Sequence, residues 1–184
     1  KELRETYVAH VARMMALSGL PERAAETAAQ DVMRIETALA EVSKSPVERR
    51  NPQEMYNKID ISGVKETAPR FPWDVYLREL GKPDLVDINV TAPKFLEGMN
   101  ALLAETRPRA LQSYLRWHVL RRYANALSTP FFEEAFAFKK ALTGQDEPQA
   151  RWKRCVASTD HALGELLAQP FVDKRFAGES KTAA

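Results

Sequence analysis

The chain has 184 residues, of which 45% are apolar and 28% are charged, and its formal net charge is +2. This length and composition predict a globular chain, either one domain with a sizeable core or two small domains, and exclude an intrinsically disordered one. Because the charges nearly cancel, the composition does not indicate a nucleic-acid or anionic-membrane partner. No apolar run approaches the roughly 20 residues that span a bilayer, so we expect no membrane segment in residues 1–184.

Two successive N-terminal segments carry apolar residues at intervals of three and four. The stripes consist of Leu3, Tyr7, Val11 and Met14 in the first segment and Ala28, Val32, Ile35, Leu39 and Val42 in the second. Gly19 and Pro21 separate the segments, since glycine ends helices and proline is favoured at the first helical position. The spacing therefore predicts two amphipathic helices joined by a short turn.

The middle of the chain, from Pro46 to Pro93, carries six prolines and predicts only short elements. We expect short helices near residues 52–59, 61–68 and 73–80. Apolar and polar side chains alternate over residues 85–90, which predicts one short strand. A single strand forms no sheet, so its partner is expected to come from outside this chain.

Four longer amphipathic helices are predicted in the C-terminal half, because apolar stripes again alternate with proline or glycine breaks. Their expected starts are Pro93, Pro108, Thr129 and Pro148, with stops at Gly144 and Pro170 and a final short helix after Pro170. The stripe of the fourth helix consists of Trp152, Val156, Thr159, Leu163 and Leu167. The predicted fold class is all-α: a bundle of several antiparallel amphipathic helices with at most one short strand, forming a single domain over residues 1–184.

No self-contained metal site is evident in the sequence. The three histidines are not spaced as zinc ligands, and there is no H-E-x-x-H motif. We expect His10 and His118 to lie at the edge of the core with satisfied hydrogen bonds. His161 and Glu165 stand four residues apart on one predicted helix, which favours an exposed pair that slightly stabilises the helix. The sequence therefore predicts no metal ligand.

No catalytic residue is predicted either. Ser158, Asp160 and His161 are the residue types of a hydrolase triad, but they lie almost consecutively on one helix. Neighbouring helical side chains point about 100° apart, so the carboxylate cannot orient the imidazole. The only cysteine, Cys155, cannot form an internal disulfide, and we expect it to be structural rather than reactive.

Two basic and aromatic clusters occupy residues 116–123 and 151–154. In a nucleic-acid-binding protein such clusters contact phosphates and stack on bases. With a net charge near zero, we instead expect the aromatic side chains to face the core and the arginines to pair with acids on neighbouring helices. The sequence therefore predicts no nucleic-acid partner.

Seven groups of residues, in order along nearly the whole chain, carry a recognisable pattern. They are Glu48–Pro52 with Met55–Lys58, Phe71–Trp73 with Tyr76 and Leu77, Ile88–Val90 with Pro93–Phe95, Leu111–Trp117, Phe138–Gly144, Arg151–Cys155, and Phe176–Lys181. Together they resemble the N-terminal region of the neprilysin and endothelin-converting-enzyme family of zinc metallopeptidases. The order of the groups makes this resemblance more specific than any single group does.

The resemblance implies a two-lobed parent protein. A thermolysin-like C-terminal lobe would hold zinc with an H-E-x-x-H helix and a downstream glutamate, and a helical N-terminal lobe would cap it around a closed chamber. Residues 1–184 match the later part of the capping lobe. They contain no counterpart of the zinc ligands, the catalytic glutamate or the Asn-Ala-Phe-Tyr substrate-binding segment. No catalytic residue is therefore carried over, and zinc is expected in a catalytic lobe that this chain does not contain.

The cysteine content separates this chain from the animal members of the family. In those relatives the cysteine that matches Cys155 is disulfide-bonded to a distant partner, whereas Cys155 has no partner in this chain. The low cysteine count resembles a bacterial member. For such a member the family resemblance favours a periplasmic or secreted location over a cytoplasmic one.

The expected function is that of a non-catalytic lid that limits substrate size and access to the active-site chamber of a peptidase for small peptides. Its expected partners are the catalytic lobe of the same polypeptide and the peptide substrates. Arg151 and Arg154, three residues apart on one helix, are expected to contact that lobe through charge-assisted hydrogen bonds. The alternative function is a stand-alone helical module that binds a peptide or protein in a groove between helices.

Overall fold

The computed structural model describes residues 2–176, which are mostly helical. The helices are α1 Glu2–Leu17, α2 Glu22–Glu41, α3 Ile61–Thr67, α4 Trp73–Glu79, α5 Pro93–Glu105, α6 Pro108–Tyr123, α7 Thr129–Thr143 and α8 Arg151–Arg175. The strands are β1 Lys58–Asp60 and β2 Asp87–Asn89, and single 3-10 turns occupy Glu48–Arg50 and Ala124–Ala126. The predicted all-α fold class, a bundle of several helices, is confirmed.

The chain divides into two compact units, the first ending at residue 138 and the second beginning at residue 139, so that the boundary falls inside α7. The single domain over residues 1–184 stays a prediction.

The core of the first unit lies between α1, α2 and α6. Its fully or almost fully buried side chains are Val11, Met14, Met15, Ala25, Ala28, Ala29, Val32, Trp117, Leu120 and Ala124. Four residues connect α1 to α2, so the two helices run antiparallel as a hairpin. Gly19 in this turn has φ +94°, a conformation that favours glycine. The three alanines of α2 in the core allow α1 to pack closely against it.

The two strands pair with each other in antiparallel register, with Ile59 opposite Ile88. β2 confirms the strand predicted over residues 85–90, but the predicted limit of one strand, and with it the partner from outside the chain, is wrong. The helix predicted near residues 52–59 is wrong too, because residues 52–55 form turns and β1 begins at Lys58. The Asp60 side chain accepts a hydrogen bond from the Gly63 N–H at 2.6 Å and caps the next helix. This cap starts α3 at Ile61 and leaves Lys58–Asp60 extended.

In the second unit, α8 continues through Pro170 to Arg175, so the predicted stop at Pro170 is wrong. The backbone departs from helical geometry earlier, at Leu163, with φ −128° and ψ 17°. Gly164 follows directly, and glycine favours helical backbone geometry less than any other residue except proline. Pro170 has no backbone N–H and so removes one hydrogen bond from the helix, but the residues after it remain helical.

Candidate functional site

A chain of polar contacts crosses the core of the first unit. The Trp117 indole N–H donates to the Tyr7 hydroxyl at 2.8 Å, and that hydroxyl donates to Glu36 Oε1 at 2.9 Å. Burial, together with the Glu36 carboxylate, raises the pKa of Tyr7 well above its ordinary value, so the phenol stays neutral. The contacts connect α6, α1 and α2 through side chains that would each be costly to bury alone.

His118 borders the same carboxylate from α6. Its Nε2 lies 3.8 Å from Glu36 Oε1, which is too long for a hydrogen bond. Among residues 2–176 this buried nitrogen has no hydrogen-bond partner. The ring packs edge-on against Tyr114, with centroids 4.4 Å apart. The prediction of a satisfied histidine at the core edge is therefore wrong for His118, because Glu36 is already engaged by Tyr7.

His10 connects α1 to α7 and is only 4% exposed. Its Nδ1 lies 2.7 Å from Glu134 Oε1, while Arg13 Nε donates to Glu134 Oε2 at 2.8 Å. The ring stacks on Phe138 with centroids 4.5 Å apart. Burial is the largest influence on the pKa of His10 and lowers it, although Glu134 acts in the opposite direction. The neutral imidazole therefore donates its Nδ1–H to the carboxylate. The prediction of a satisfied histidine at the core edge is confirmed here.

These polar contacts do not form a metal centre. Within residues 2–176, no three His, Cys, Asp or Glu side chains lie close enough together to hold a metal ion. Catalytic zinc sites use three protein ligands and an open position, and Glu36 and Glu134 each face a single histidine. The described residues therefore do not fit a catalytic zinc site.

The polar and charged residues predicted on α8 are mostly exposed. Cys155 is an exposed free thiol. His161 and Glu165 are both exposed, but no ion pair joins them in the part of the chain that the structure describes. Arg151 is exposed, and the half-buried Arg154 donates from Nε to the Gln149 carbonyl at 3.1 Å. The predicted contacts of both arginines with a catalytic lobe stay a prediction.

The two basic and aromatic clusters behave differently. Trp117 is 1% exposed, which confirms that the aromatic residue of the first cluster faces the core. Trp152 of the second is 65% exposed, with Lys153 Nζ 5.4 Å from its ring centroid, so the same prediction is wrong there. Arg116 and Arg122 of α6 have no ion-pair partner among residues 2–176, which corrects the predicted pairing. Their positions on α6 direct them away from the neighbouring helices.

Exposed apolar side chains occur in both units. Leu115, Val119 and Tyr123 on α6 are 62%, 58% and 56% exposed. None of the described residues of α8 is buried, and its apolar stripe remains open to solvent at Trp152, Val156, Leu163, Leu167 and Phe171. Contiguous exposed apolar surface is typical of an interaction site.

A shallow groove with a volume of about 710 Å³ runs between α1 and α2. Alanine and methionine side chains line it together with charged residues, which are Arg4, Glu5, Arg13, Glu22 and Glu26. Its volume matches that of a ligand site, but the mixed charges around it favour no single ligand chemistry.

Sequence reasoning missed Glu36 and Glu134, the two carboxylates around which the polar contacts form. The available signal was the position of His10, which lies three residues after Tyr7 and four before Met14 on the apolar side of α1. A polar residue on a buried stripe requires a partner. Glu134 is 124 residues away in the chain, so spacing alone does not identify it.

The whole chain, residues 1–184, matches the model of peptidase family M13. The chain belongs to peptidase family M13. It corresponds to the N-terminal region of that family, which confirms the resemblance drawn from the seven groups of residues. Among residues 2–176, no helix is both long enough and apolar enough to cross a bilayer.

Curated proteins from animals match this chain. Neprilysin-3 of Drosophila melanogaster is 28% identical over 100% of this chain and 25% of its own length. Human endothelin-converting enzyme 1 is 29% identical over 91% of this chain and 22% of its own length. The M13 chain therefore spans about a quarter of the length of these relatives.

Solved structures give the same family. The cryo-EM structure of the zinc metalloprotease ZMP1 of Mycobacterium tuberculosis in an open state matches with a TM-score of 0.93 and 26% identity. The match covers 99% of this chain and 29% of that one. The crystal structure of ZMP1 with an inhibitor matches with a TM-score of 0.89. A bacterial relative agrees with the predicted bacterial origin.

Proposed function

We propose that residues 1–184 form the helical, non-catalytic part of a zinc metallopeptidase, and that this part limits the size of the peptides that reach the metal. The observation that carries the proposal is the exposed apolar surface of α8 in a chain that covers 22–29% of its relatives. Such surface is stable in water when another part of the polypeptide covers it. The proposed partner is therefore the catalytic lobe of the same polypeptide.

The core of the first unit supports a role as a wall. Interiors packed from helices are dense and transmit strain rather than deform, so a wall of this kind keeps its shape while a folded protein is excluded. The Trp117–Tyr7–Glu36 contacts and the His10–Glu134 contact add directional constraints between four helices. Short peptides would fit the space behind such a wall, whereas longer peptides and folded chains would not.

In this proposal, a zinc ion held outside the described residues would supply the chemistry. Such an ion polarises a carbonyl and activates water. Arg151 and Arg154 at the start of α8 would contact that lobe, because arginine pairs well with carboxylates at interfaces. A periplasmic or secreted location, as in the family resemblance, fits a peptidase that acts on external peptides.

The test uses the complete polypeptide that contains these residues. Peptides with one scissile sequence and increasing length, all unfolded, are compared for kcat/KM. The proposal predicts efficient cleavage of short peptides and a steep loss beyond a threshold length, with the longest peptides still intact. Equal cleavage at all lengths would refute the size limit, and one-to-one zinc binding by residues 1–184 alone would refute the non-catalytic role.

A stand-alone module that binds peptides is the second candidate, and the groove between α1 and α2 is the observation that favours it. The two functions differ in self-association. A wall that has lost its partner lobe exposes apolar surface and should associate as its concentration rises, whereas a self-contained module should remain monomeric. Light scattering over a hundredfold range of concentration separates them.

A further inference from the structure

The outward side of α6 carries an apolar stripe. Leu115, Val119 and Tyr123 follow one another at intervals of four, and each is more than half exposed. Residues four apart lie above one another on a helix, so the three side chains form one continuous surface. Trp117, two residues from Leu115 and from Val119, is buried in the core, which places the stripe on the opposite side of the helix.

Three arginines border this stripe. Arg116 is three residues before Val119, Arg122 is three residues after it, and Arg109 is seven residues before Arg116, so all three lie beside the same face. Each is exposed, and none forms an ion pair with any of residues 2–176. The stripe and these three arginines are called the α6 face below.

The charge of the α6 face is not balanced locally. Helix α6 contains four arginines and no aspartate or glutamate, although the whole chain has a net charge of only +2. The fourth arginine, Arg121, lies toward the polar contacts of the core, where its charge opposes the rise in the pKa of Tyr7. Positive charge is therefore concentrated beside the exposed apolar stripe.

A complementary partner supplies carboxylates at the border and apolar side chains in the centre. This is the usual arrangement of a protein interface, with an apolar centre and a polar border whose charges oppose those of the partner. A nucleic acid matches only part of the face. Its phosphates would pair with the arginines, and one base would stack on Tyr123, but Leu115 and Val119 would remain uncovered.

We infer that the α6 face binds an acidic peptide segment of another polypeptide, with its carboxylates on Arg109, Arg116 and Arg122 and its apolar side chains on Leu115 and Val119. The inference does not rest on the function proposed above. It concerns a surface of these residues alone and would stand if no zinc lobe existed.

The experiment measures binding of the 184-residue chain to a fluorescein-labelled helical peptide by anisotropy. The peptide carries leucines at intervals of three and four, flanked by glutamates, and a second peptide has glutamine at every glutamate position. The glutamate peptide should bind at least about tenfold more tightly, and its affinity should fall as salt is raised. Equal binding of the two peptides would overturn the inference.

Variants locate the site. Replacing two arginines of the face, Arg116→Gln with Arg122→Gln, should weaken binding about tenfold, and Val119→Ser should weaken it about fivefold. The matched control, Arg23→Gln with Arg50→Gln, removes the same charge from exposed positions elsewhere and should change binding by less than about twofold. All substituted side chains are exposed or on the outer face, and circular dichroism verifies the fold of each variant.

Two competing outcomes would overturn the inference. Tighter binding of random-sequence single-stranded DNA than of the glutamate peptide would assign the face to nucleic acid. Loss of self-association in the Val119→Ser variant, with no peptide binding by the unaltered chain, would assign it to a second copy of the chain.

Discussion

Helices α6 and α8 have similar sequence patterns, but their tryptophans lie in opposite environments. Trp117 of α6 is 1% exposed and donates a hydrogen bond to Tyr7, whereas Trp152 of α8 is 65% exposed and contacts Lys153. Both tryptophans lie among arginines, and both helices carry apolar residues at intervals of three and four. The difference shows that an apolar stripe predicts which face of a helix can be buried. Whether that face is buried depends on which other helices pack against it.

The largest expected effect comes from removing the two tryptophans in turn. Trp117→Ala should lower the free energy of unfolding by about 3–5 kcal/mol, because it opens a cavity in the core and leaves Tyr7 with one hydrogen bond fewer. Trp152→Ala should change it by less than about 0.5 kcal/mol, as is usual for exposed positions. Urea unfolding followed by circular dichroism measures both, and equal effects would contradict the contrast between the helices.

The glycines of α5 and α8 give a second contrast. A Cβ on Gly98 would lie 2.5 Å from Val42 Cγ1, so Gly98→Ala should destabilise the chain by about 1–3 kcal/mol through overpacking. In α8, a Cβ on Gly164 would meet nothing closer than Asp160 Oδ1 at 4.0 Å, and Gly164→Ala should stabilise the helix by up to about 1 kcal/mol.

A double-mutant cycle provides the control for Gly98. Combining Gly98→Ala with Val42→Ala should cost less than the sum of the two single changes, because the smaller side chain makes room for the new methyl group. Additive costs measured by urea unfolding would show that contact with Val42 is not the cause.

Breaking the polar contacts of the core should have a smaller effect. Tyr7→Phe keeps the ring against Trp117 but leaves the indole N–H and Glu36 without their shared partner, at a cost of about 1–2 kcal/mol. The control is Tyr56→Phe, which removes a hydroxyl from a side chain that is 66% exposed and should be nearly neutral. Thermal unfolding of the two variants compares them, and an equal shift would show that the contacts do not contribute to stability.

Local signals in the sequence were sufficient to predict most helix positions. Proline and glycine bracket α5, α6 and α7, so their starts were predicted within the usual uncertainty of helix ends. The short elements were harder, because the Asp60 cap and the pairing of β1 with β2 depend on a few contacts rather than on a long period. The break at Leu163 was also hard to predict, because no sequence signal near it is as strong as that of Pro170.

The candidate site was predicted only in part, for a different physical reason. The apolar residues of α6 were expected to face one core, yet Leu115 and Val119 lie on its outward side. A helix with apolar residues on two sides gives no indication of which side its neighbours cover. The two central carboxylates, Glu36 and Glu134, likewise look like ordinary helical acids until tertiary structure brings Tyr7 and His10 to them.

The smallest expected effect is a pH dependence confined to the first unit. Burial lowers the pKa of His10 below the ordinary value of 6.5, so the unfolded chain binds a proton more readily than the folded chain does. The stability that this neutral histidine confers is fully present above about pH 6.5 and declines as the pH falls below that value. Urea unfolding of the chain and of His10→Gln between about pH 7.5 and 5 measures the difference in slope. The His10→Gln chain should lose less stability on acidification than the unaltered chain does. Identical slopes for the two chains would show that protonation of His10 is not coupled to the packing of α1 against α7.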